Sequence, residues 1–280
     1  TGAFWTAHAD ATTGPPEGAA GPVFVCVRRP DTEAVANALA AASPGALPVL
    51  VQNGIDGDAV LARRFPRVVG AAWRLSCTHV EANRVRTLPG GRVVLGAHPE
   101  GEEPALEPLA TWLRAAGFDV AISRRLAEDR WLKLCVNLGS APNALVRQSE
   151  HATEAFVAGK ARLLEEARDV LAAAGIVARS CDGRDRSLDE EIRWQRGALA
   201  RGDAARPIPL YNSAWRALRH HLPLESDEHH QRIIALGRRH GIATPVNDRV
   251  LAALLRALAQ RLPPEHLGAA ELFGDRAPGA

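Results

Sequence analysis

Pro22-Val-Phe-Val-Cys-Val27 and Leu47-Pro-Val-Leu-Val51 are short, uninterrupted apolar runs, with a helix-forming segment from Asp31 to about Ala42 between them. A strand with one solvated face alternates apolar and polar residues, whereas a strand covered on both faces does not. The two runs therefore read as buried parallel strands joined by a right-handed helical crossover, the unit of an α/β domain. Outward from this unit, Gln52-Asn53-Gly54 follows the second strand directly and leads into a helix from about Asp56 to Arg64. Val68 to Leu95 reads as several strands, with turns at Glu81-Ala-Asn83 and Pro89-Gly-Gly91. A helix from about Glu103 to Ala116 and a strand at Phe118–Ile122 complete this part.

From Ser123 the pattern changes to helical spacing. Ala127 to Val146 is amphipathic, with Gly139-Ser-Ala-Pro142 placed to break or kink it, and Thr153 to Ala174 is a long Ala/Leu/Glu/Arg helix. Further helices are expected near 188–200, 212–221, 225–240 and 247–262. Gly241-Ile-Ala-Thr-Pro-Val-Asn-Asp248 reads as a helix stop, a short extended piece and a new helix start, a structural rather than a catalytic element. The organisation expected is thus α/β plus all-α. An α/β domain is expected over residues 1–124 and an all-helical domain over residues 125–280. The stretch from Gly274 to Ala280 is expected to be a loose tail.

Composition narrows the class. The 280 residues are 46% hydrophobic and 24% charged, with a net charge of +2, so bulk electrostatics call for neither a nucleic acid nor an anionic membrane as partner. No apolar run approaches the roughly 18 residues of a membrane span, and the first residues lack a secretory pattern. A cytoplasmic protein is expected. Cys26, Cys77, Cys135 and Cys181 have no Cys-x-x-Cys spacing and read as buried thiols in a reducing compartment. His220-His221 and His229-His230 lack the spacing of a ligand set, and no metal site is expected. Of 34 basic residues only Lys133 and Lys160 are lysines. Lysine can release its proton near neutrality where arginine cannot, so each lysine is a candidate for a specific task. Lys160 sits on a helix with Glu165 and Glu166 and suits a generic surface charge. Lys133 does not.

Lys133 belongs to Trp131-Leu-Lys-Leu-Cys-Val-Asn-Leu-Gly-Ser-Ala-Pro-Asn143, the densest polar constellation in the chain. Lys133 and Asn137 are four residues apart on one helix and so share a face, with Leu134, Val136 and Leu138 left to pack on the others. An exposed Lys–Asn pair would be worth little. On a helix that opens the second domain, the same pair can look into an interdomain cleft, where an ammonium beside a ketone can neutralise the alkoxide formed as hydride arrives. Ser140 and Asn143 lie just beyond. A second cluster is Tyr211-Asn-Ser213, followed by Pro223-Leu-Glu-Ser-Asp227. Pro223 can start a helix with Glu225 in its first turn, a placement that the helix dipole alone would favour.

In order and spacing, these pieces resemble the ketopantoate reductase (2-dehydropantoate 2-reductase) family. The landmarks are Val23-Phe-Val-Cys-Val-Arg28, Val51-Gln-Asn-Gly-Ile55, Val94-Leu-Gly96, Trp131-Leu-Lys133 with Asn137, Asn212-Ser213, Leu224-Glu225-Ser-Asp227 and Gly241-Ile-Ala-Thr-Pro245. The resemblance runs from Pro22 to about Leu262. It implies that residues 1–124 are a truncated dinucleotide-binding, Rossmann-like domain for NADPH and residues 125–280 a helical substrate and dimerisation domain, with a homodimer and the reduction of a small-molecule 2-keto acid to a 2-hydroxy acid, ketopantoate first among substrates. By position it makes Lys133 the general acid and Glu225 its partner. Asn137 would contact the substrate hydroxyl, Ser213 its carboxylate, and Asn53 the junction of nicotinamide and substrate. Arg28 stands at the cofactor where the family has lysine.

Two departures accompany the resemblance. The chain has no Gly-x-Gly-x-x-Gly, because Gly14, Gly18 and Gly21 lack that spacing. The strand and turn that carry this fingerprint are expected upstream of Thr1. Ala141 stands where the family carries an asparagine before proline, and a missing hydrogen-bond donor at a polar substrate can cost orders of magnitude in selectivity. The alternatives are a related reductase of another keto acid or an opine-like substrate, and a catalytically weak relative that acts as a non-enzyme.

Overall fold

In the computed structural model, which describes residues 10–75, 77–81, 84–87, 91–202, 211–222, 224 and 227–274, the two apolar runs pair as parallel strands. β1 (Pro22–Val25) lies against β2 (Leu47–Val51), with Pro22 opposite Leu47 and Val25 opposite Leu50. The crossover between them is α1 (Thr32–Ala42), and α2 (Gly57–Ala62) follows β2. β3 (Val68–Arg74) continues the sheet in parallel. A hairpin of β4 (Cys77–Glu81) and β5 (Arg84–Thr87) then returns the chain, so β6 (Arg92–His98) pairs antiparallel with β3. After α3 (Leu106–Ala115), β7 (Asp119–Ile122) pairs parallel with β6. The sheet order is β1-β2-β3-β6-β7, with β4-β5 as a separate ribbon.

The continuous apolar character of the strands has the expected cause. Val25, Leu50 and Val68 face α1 and α2 through Ala36, Leu39 and Leu61, with Phe65, just past α2, in the same cluster. Val49, Val69, Val93 and Leu95 face α3 through Leu106, Leu109 and Leu113. Both faces are buried, and alternation is lost.

The remainder is helical: α4 (Leu126–Asn137), α5 (Ser140–Leu145), α6 (Glu154–Ala173), α7 (Leu188–Arg196), α8 (Ser213–His220), α9 (Asp227–His240), α10 (Pro245–Ala259) and α11 (Ala269–Phe273). α4 joins the two parts. Its first turn packs Leu126 on the sheet residues Ala72 and Val94, while Leu132, Leu134 and Leu138 pack with α6, α7 and α9. Two strand glycines permit this approach: a Cβ on Gly70 would lie 2.5 Å from Leu126 and 2.8 Å from Asp58, and one on Gly96 would lie 2.7 Å from Leu126. The stop at Gly241 adopts φ +72°, and Pro245 opens α10. The first amides of α10 are satisfied from another helix, because the Glu166 carboxylate accepts from the backbone N–H groups of Val246 (2.7 Å) and Asn247 (2.9 Å).

Three expectations need correction. Only Cys135 is buried, whereas Cys26, Cys77 and Cys181 are exposed, because they sit at a strand end, on the hairpin and in the loop before α7 rather than on packed faces. Val136 is not packed as Leu134 and Leu138 are but is exposed, since the α4 face that carries it is not covered. Lys160 is not a solvated surface charge. It is half-buried and hydrogen-bonded between helices. The expected turn residues Ala82, Asn83, Pro89 and Gly90 and the tail after Gly274 lie outside the described residues, as do Pro223 and Glu225.

Candidate active site

Lys133 sits in the middle of α4, where the helix leaves the sheet for the helical part. Its side chain is half-buried, and it forms no hydrogen bond or ion pair among the described residues. Burial pushes the ammonium down to about 7, and the positive charges of Arg74 and Arg130 add to that effect. Both arginines are held by structure. Arg130 forms a bidentate, buried pair with Asp58 of α2, and Arg74 lies 3.5 Å from Asp185. The field on Lys133 is therefore built into the junction of sheet and helices.

Beside it a cavity of about 210 Å³ opens between the two parts of the molecule. Arg29, Gly54 and Ile55, at the C-terminal ends of β1 and β2, form one wall; Leu134 of α4 and Glu228, His229 and Arg232 of α9 form the other. Strand C-terminal ends are where open α/β sheets bind ligands. The walls are pinned by ion pairs: Arg29 reaches Glu228 at 3.1 Å and Asp56 at 3.6 Å, and Arg232 pairs with Asp56. His229 is buried, with Nδ1 lacking a hydrogen-bond partner among the described residues. It is pushed down to about 4 by burial, with His230 and Lys133 as further causes.

The sequence candidates fall around this junction unevenly. Asn137 ends α4, one turn from Lys133, and lines a second cavity formed at the α4–α5 break. Asn212 donates from Nδ2 to the Ser140 carbonyl at 2.8 Å and accepts the Trp215 amide as cap of α8, which fixes the first turn of α8 and its exposed Ser213 against that break. Asn53 is exposed next to Gly54, whose φ of +121° a side chain would resist. The register of that loop is set by Gln52, which donates to the Val27 carbonyl (2.6 Å) and to Thr32 (2.8 Å). Arg28 is exposed and pairs with Asp31 at 3.6 Å. Glu225 lies outside the described residues.

Arg29, Glu228, Arg232 and the Lys160–Asn143 pair are what sequence reading missed. Their partners lie up to 199 residues apart, and no local spacing signals such contacts. For Lys160 the rarity of lysine was the one available signal.

A nicotinamide group fits the first wall. Gly54 carries no side chain and a Cβ there would meet nothing, and the exposed Asn53 amide beside it offers a donor and an acceptor. Asn53 and Arg28, the residues expected to hold it, are both exposed and flank the wall residues Gly54 and Arg29.

Comparison with known proteins agrees with this architecture. The family model described as ketopantoate reductase PanE/ApbA matches residues 5–100, and its C-terminal counterpart matches residues 125–259. A 2-dehydropantoate 2-reductase from Halobacterium salinarum is 29% identical over 243 residues, covering 85% of this chain and 76% of that protein. A PanE/ApbA-family ketopantoate reductase from Ralstonia eutropha JMP134 has the same fold, with a TM-score of 0.70 at 23% identity, covering 88% of this chain and 78% of the other. D-mandelate dehydrogenase, solved in a ternary structure with NADH and anilino(oxo)acetate, superposes with a TM-score of 0.69 at 16% identity, covering 86% and 77%.

Proposed function

Because the chain belongs to the ketopantoate reductase family, we propose that it carries out NADPH-dependent reduction of a 2-keto acid to a 2-hydroxy acid, with ketopantoate to pantoate, a step of pantothenate biosynthesis, as the first reaction to test. The observation that carries this reading is Lys133, a half-buried amine without a bonded partner among the described residues, brought to about 7 at the junction of the two parts. A general acid works best when its pKa lies near the working pH. When bound, reduced nicotinamide supplies the hydride to the carbonyl carbon. The Lys133 ammonium gives its proton to the carbonyl oxygen and is recharged from solvent. Asn137 holds the hydroxyl being formed, Ser213 the substrate carboxylate, and Glu225 keeps substrate and lysine in register. Asn53 and Arg28 serve the cofactor.

A second reading has its own observation. Ala141 is buried at 1% exposure and offers no hydrogen-bond donor, which favours a keto acid other than ketopantoate. Consumption of NADPH, followed by absorbance over a panel of 2-keto acids that includes ketopantoate, separates the two readings. If no keto acid on the panel is reduced with either nicotinamide cofactor, the enzyme reading is wrong. A cytoplasmic homodimer is the expected form, and light scattering tests the dimer. Among the described residues, no helix is long and apolar enough to cross a membrane.

A further inference from the structure

Of the two lysines of the chain, Lys160 is the one that lines a cavity among the described residues. Lys160 projects from α6 into a space of about 280 Å³ whose other walls include Asn137, Ser140 and Asn143 at the α4–α5 break and Glu191 and Gln195 of α7. Its ammonium donates to Asn143 Oδ1 at 3.2 Å and lies 5.4 Å from the Phe156 ring centroid. An ammonium has three donors, so two have no partner among the described residues. Glu191 is already engaged: Oε2 accepts from Arg186 at 2.8 Å and Oε1 from Gln195 at 2.9 Å. One carboxylate thus stands with two cations, and the pocket carries one positive charge without a counter-charge in contact. Burial draws the ammonium down to about 8, while Glu191 opposes that shift. Gly139 keeps the space open, since a Cβ there would lie 3.2 Å from Lys160 Cε.

We propose that this cavity is a carboxylate subsite, in which Lys160 pairs with the anion and the Asn137 amide, the Asn143 amide and the Ser140 hydroxyl donate to its oxygens. Three neutral donors around one cation match a carboxylate, which only accepts hydrogen bonds. Asn137 lies one helical turn from Lys133, so the carboxylate has two sources. It belongs either to the far end of a 2-keto dicarboxylate being reduced at Lys133, which rests on the reductase reading, or to a separate small acid, which does not.

The test uses the whole chain, wild type and Lys160→Gln, in two arms. In the first, kcat/KM is compared for 2-ketoglutarate and 2-ketobutyrate. In the second, succinate is titrated by calorimetry, and reductive methylation of the wild-type protein is followed by mass spectrometry with and without succinate. With two lysines in the chain, the Lys160 peptide is unambiguous. A loss on the order of 10–100-fold for 2-ketoglutarate, with 2-ketobutyrate unchanged, assigns the subsite to the substrate. Succinate binding that weakens on the order of tenfold or more in the variant, together with slowed Lys160 methylation in the wild type, assigns it to a separate acid even where no keto acid is turned over. If 2-ketoglutarate turnover and succinate binding both ignore the substitution and succinate gives Lys160 no protection, the cavity holds water and the proposal is overturned. Loss of reduction in Lys133→Ala alongside that result would leave the reductase reading standing.

Discussion

Arg130 of α4 and Asp58 of α2 face each other as a buried bidentate pair, with Nη2 3.1 Å from Oδ1 and Nη1 bonded to Oδ2. The pair sits over Gly70, whose missing side chain makes room for both groups. It ties the helix that carries Lys133 to the sheet part, so the same contact that assembles the fold also places a positive charge near the candidate acid.

Asp58→Ala should therefore destabilise strongly, by about 3–5 kcal/mol, because it leaves a buried guanidinium without its counter-charge. The double substitution Asp58→Ala/Arg130→Met should recover most of that loss, since removing both charges removes the desolvation penalty as well. Urea unfolding followed by circular dichroism measures both. A single-variant loss below about 1 kcal/mol, the range of an exposed pair, would place the contact in solvent.

The proposed role of Lys133 as the acid fixes the sign of a pH dependence. With its ammonium at about 7, the acid needed for reduction is present below that pH and is lost above it. The kcat/KM for keto acid reduction should therefore be flat on the acid side and fall about tenfold per pH unit above neutrality. Oxidation of the hydroxy acid, which needs the neutral amine, should show the opposite limb. Asp58→Asn/Arg130→Met removes one of the two neighbouring cations and should move the limb to higher pH. Lys133→Ala should lose on the order of 10²–10⁴ in rate. Lys133→Arg should fare no better, because arginine does not release its proton. A reduction profile without an alkaline limb near neutrality would exclude Lys133 as the acid.

The thiols separate by environment. Cys135 lies in the packed helical core, and burial pushes it up to about 12, while Cys181, an exposed residue, is pushed up to about 11 by partial desolvation of its thiol and by Asp129 and Asp182. Alkylation needs the thiolate. Native protein should take up label at Cys26, Cys77 and Cys181, with Cys181 lagging at neutral pH, and Cys135 should react only after unfolding. Peptide mass spectrometry over a time course reads this directly, and early labelling of Cys135 would contradict its placement.

What the sequence made legible followed local physics. Val23–Val27 and Leu47–Val51 could be read as doubly covered strands because neither alternates, and Lys133 with Asn137 could be placed on one helix face because four residues make about one turn. The break at Gly139-Ser140 and the restart at Pro245 were visible as backbone chemistry. Contacts that depend on the tertiary fold were hidden. Lys160 reads as solvated until α5 and α7 close around it, and nothing local marks Glu166 as the acceptor of the Val246 and Asn247 amides, 80 and 81 residues away. The antiparallel β3–β6 pairing follows from a hairpin that both strands frame. The shortest α-helix among the described residues, α11, has too few residues for a period to show.

That last helix carries the remaining prediction. Phe273 of α11 is buried at 1% exposure and lies with its ring directly over Gly159 of α6, so close that a Cβ on Gly159 would overlap the ring carbons. Phe156, Leu272 and Ala269 belong to the same packed cluster, and Arg162 holds the carbonyl of Phe273 at 3.0 Å. Alanine is the better helix former by about 1 kcal/mol, so on propensity alone Gly159→Ala in mid-helix should stabilise. Overpacking against a closely fitted ring costs about 1–3 kcal/mol, and here the ring also packs against Phe156 while its residue is held by Arg162. The substitution should therefore lower stability in urea. The change should be confined to the α11 contact: Phe273→Ala, which makes the room, should show little further loss when Gly159→Ala is added to it. A Gly159→Ala protein more stable than wild type would mean that α11 yields freely and that Phe273 does not anchor it.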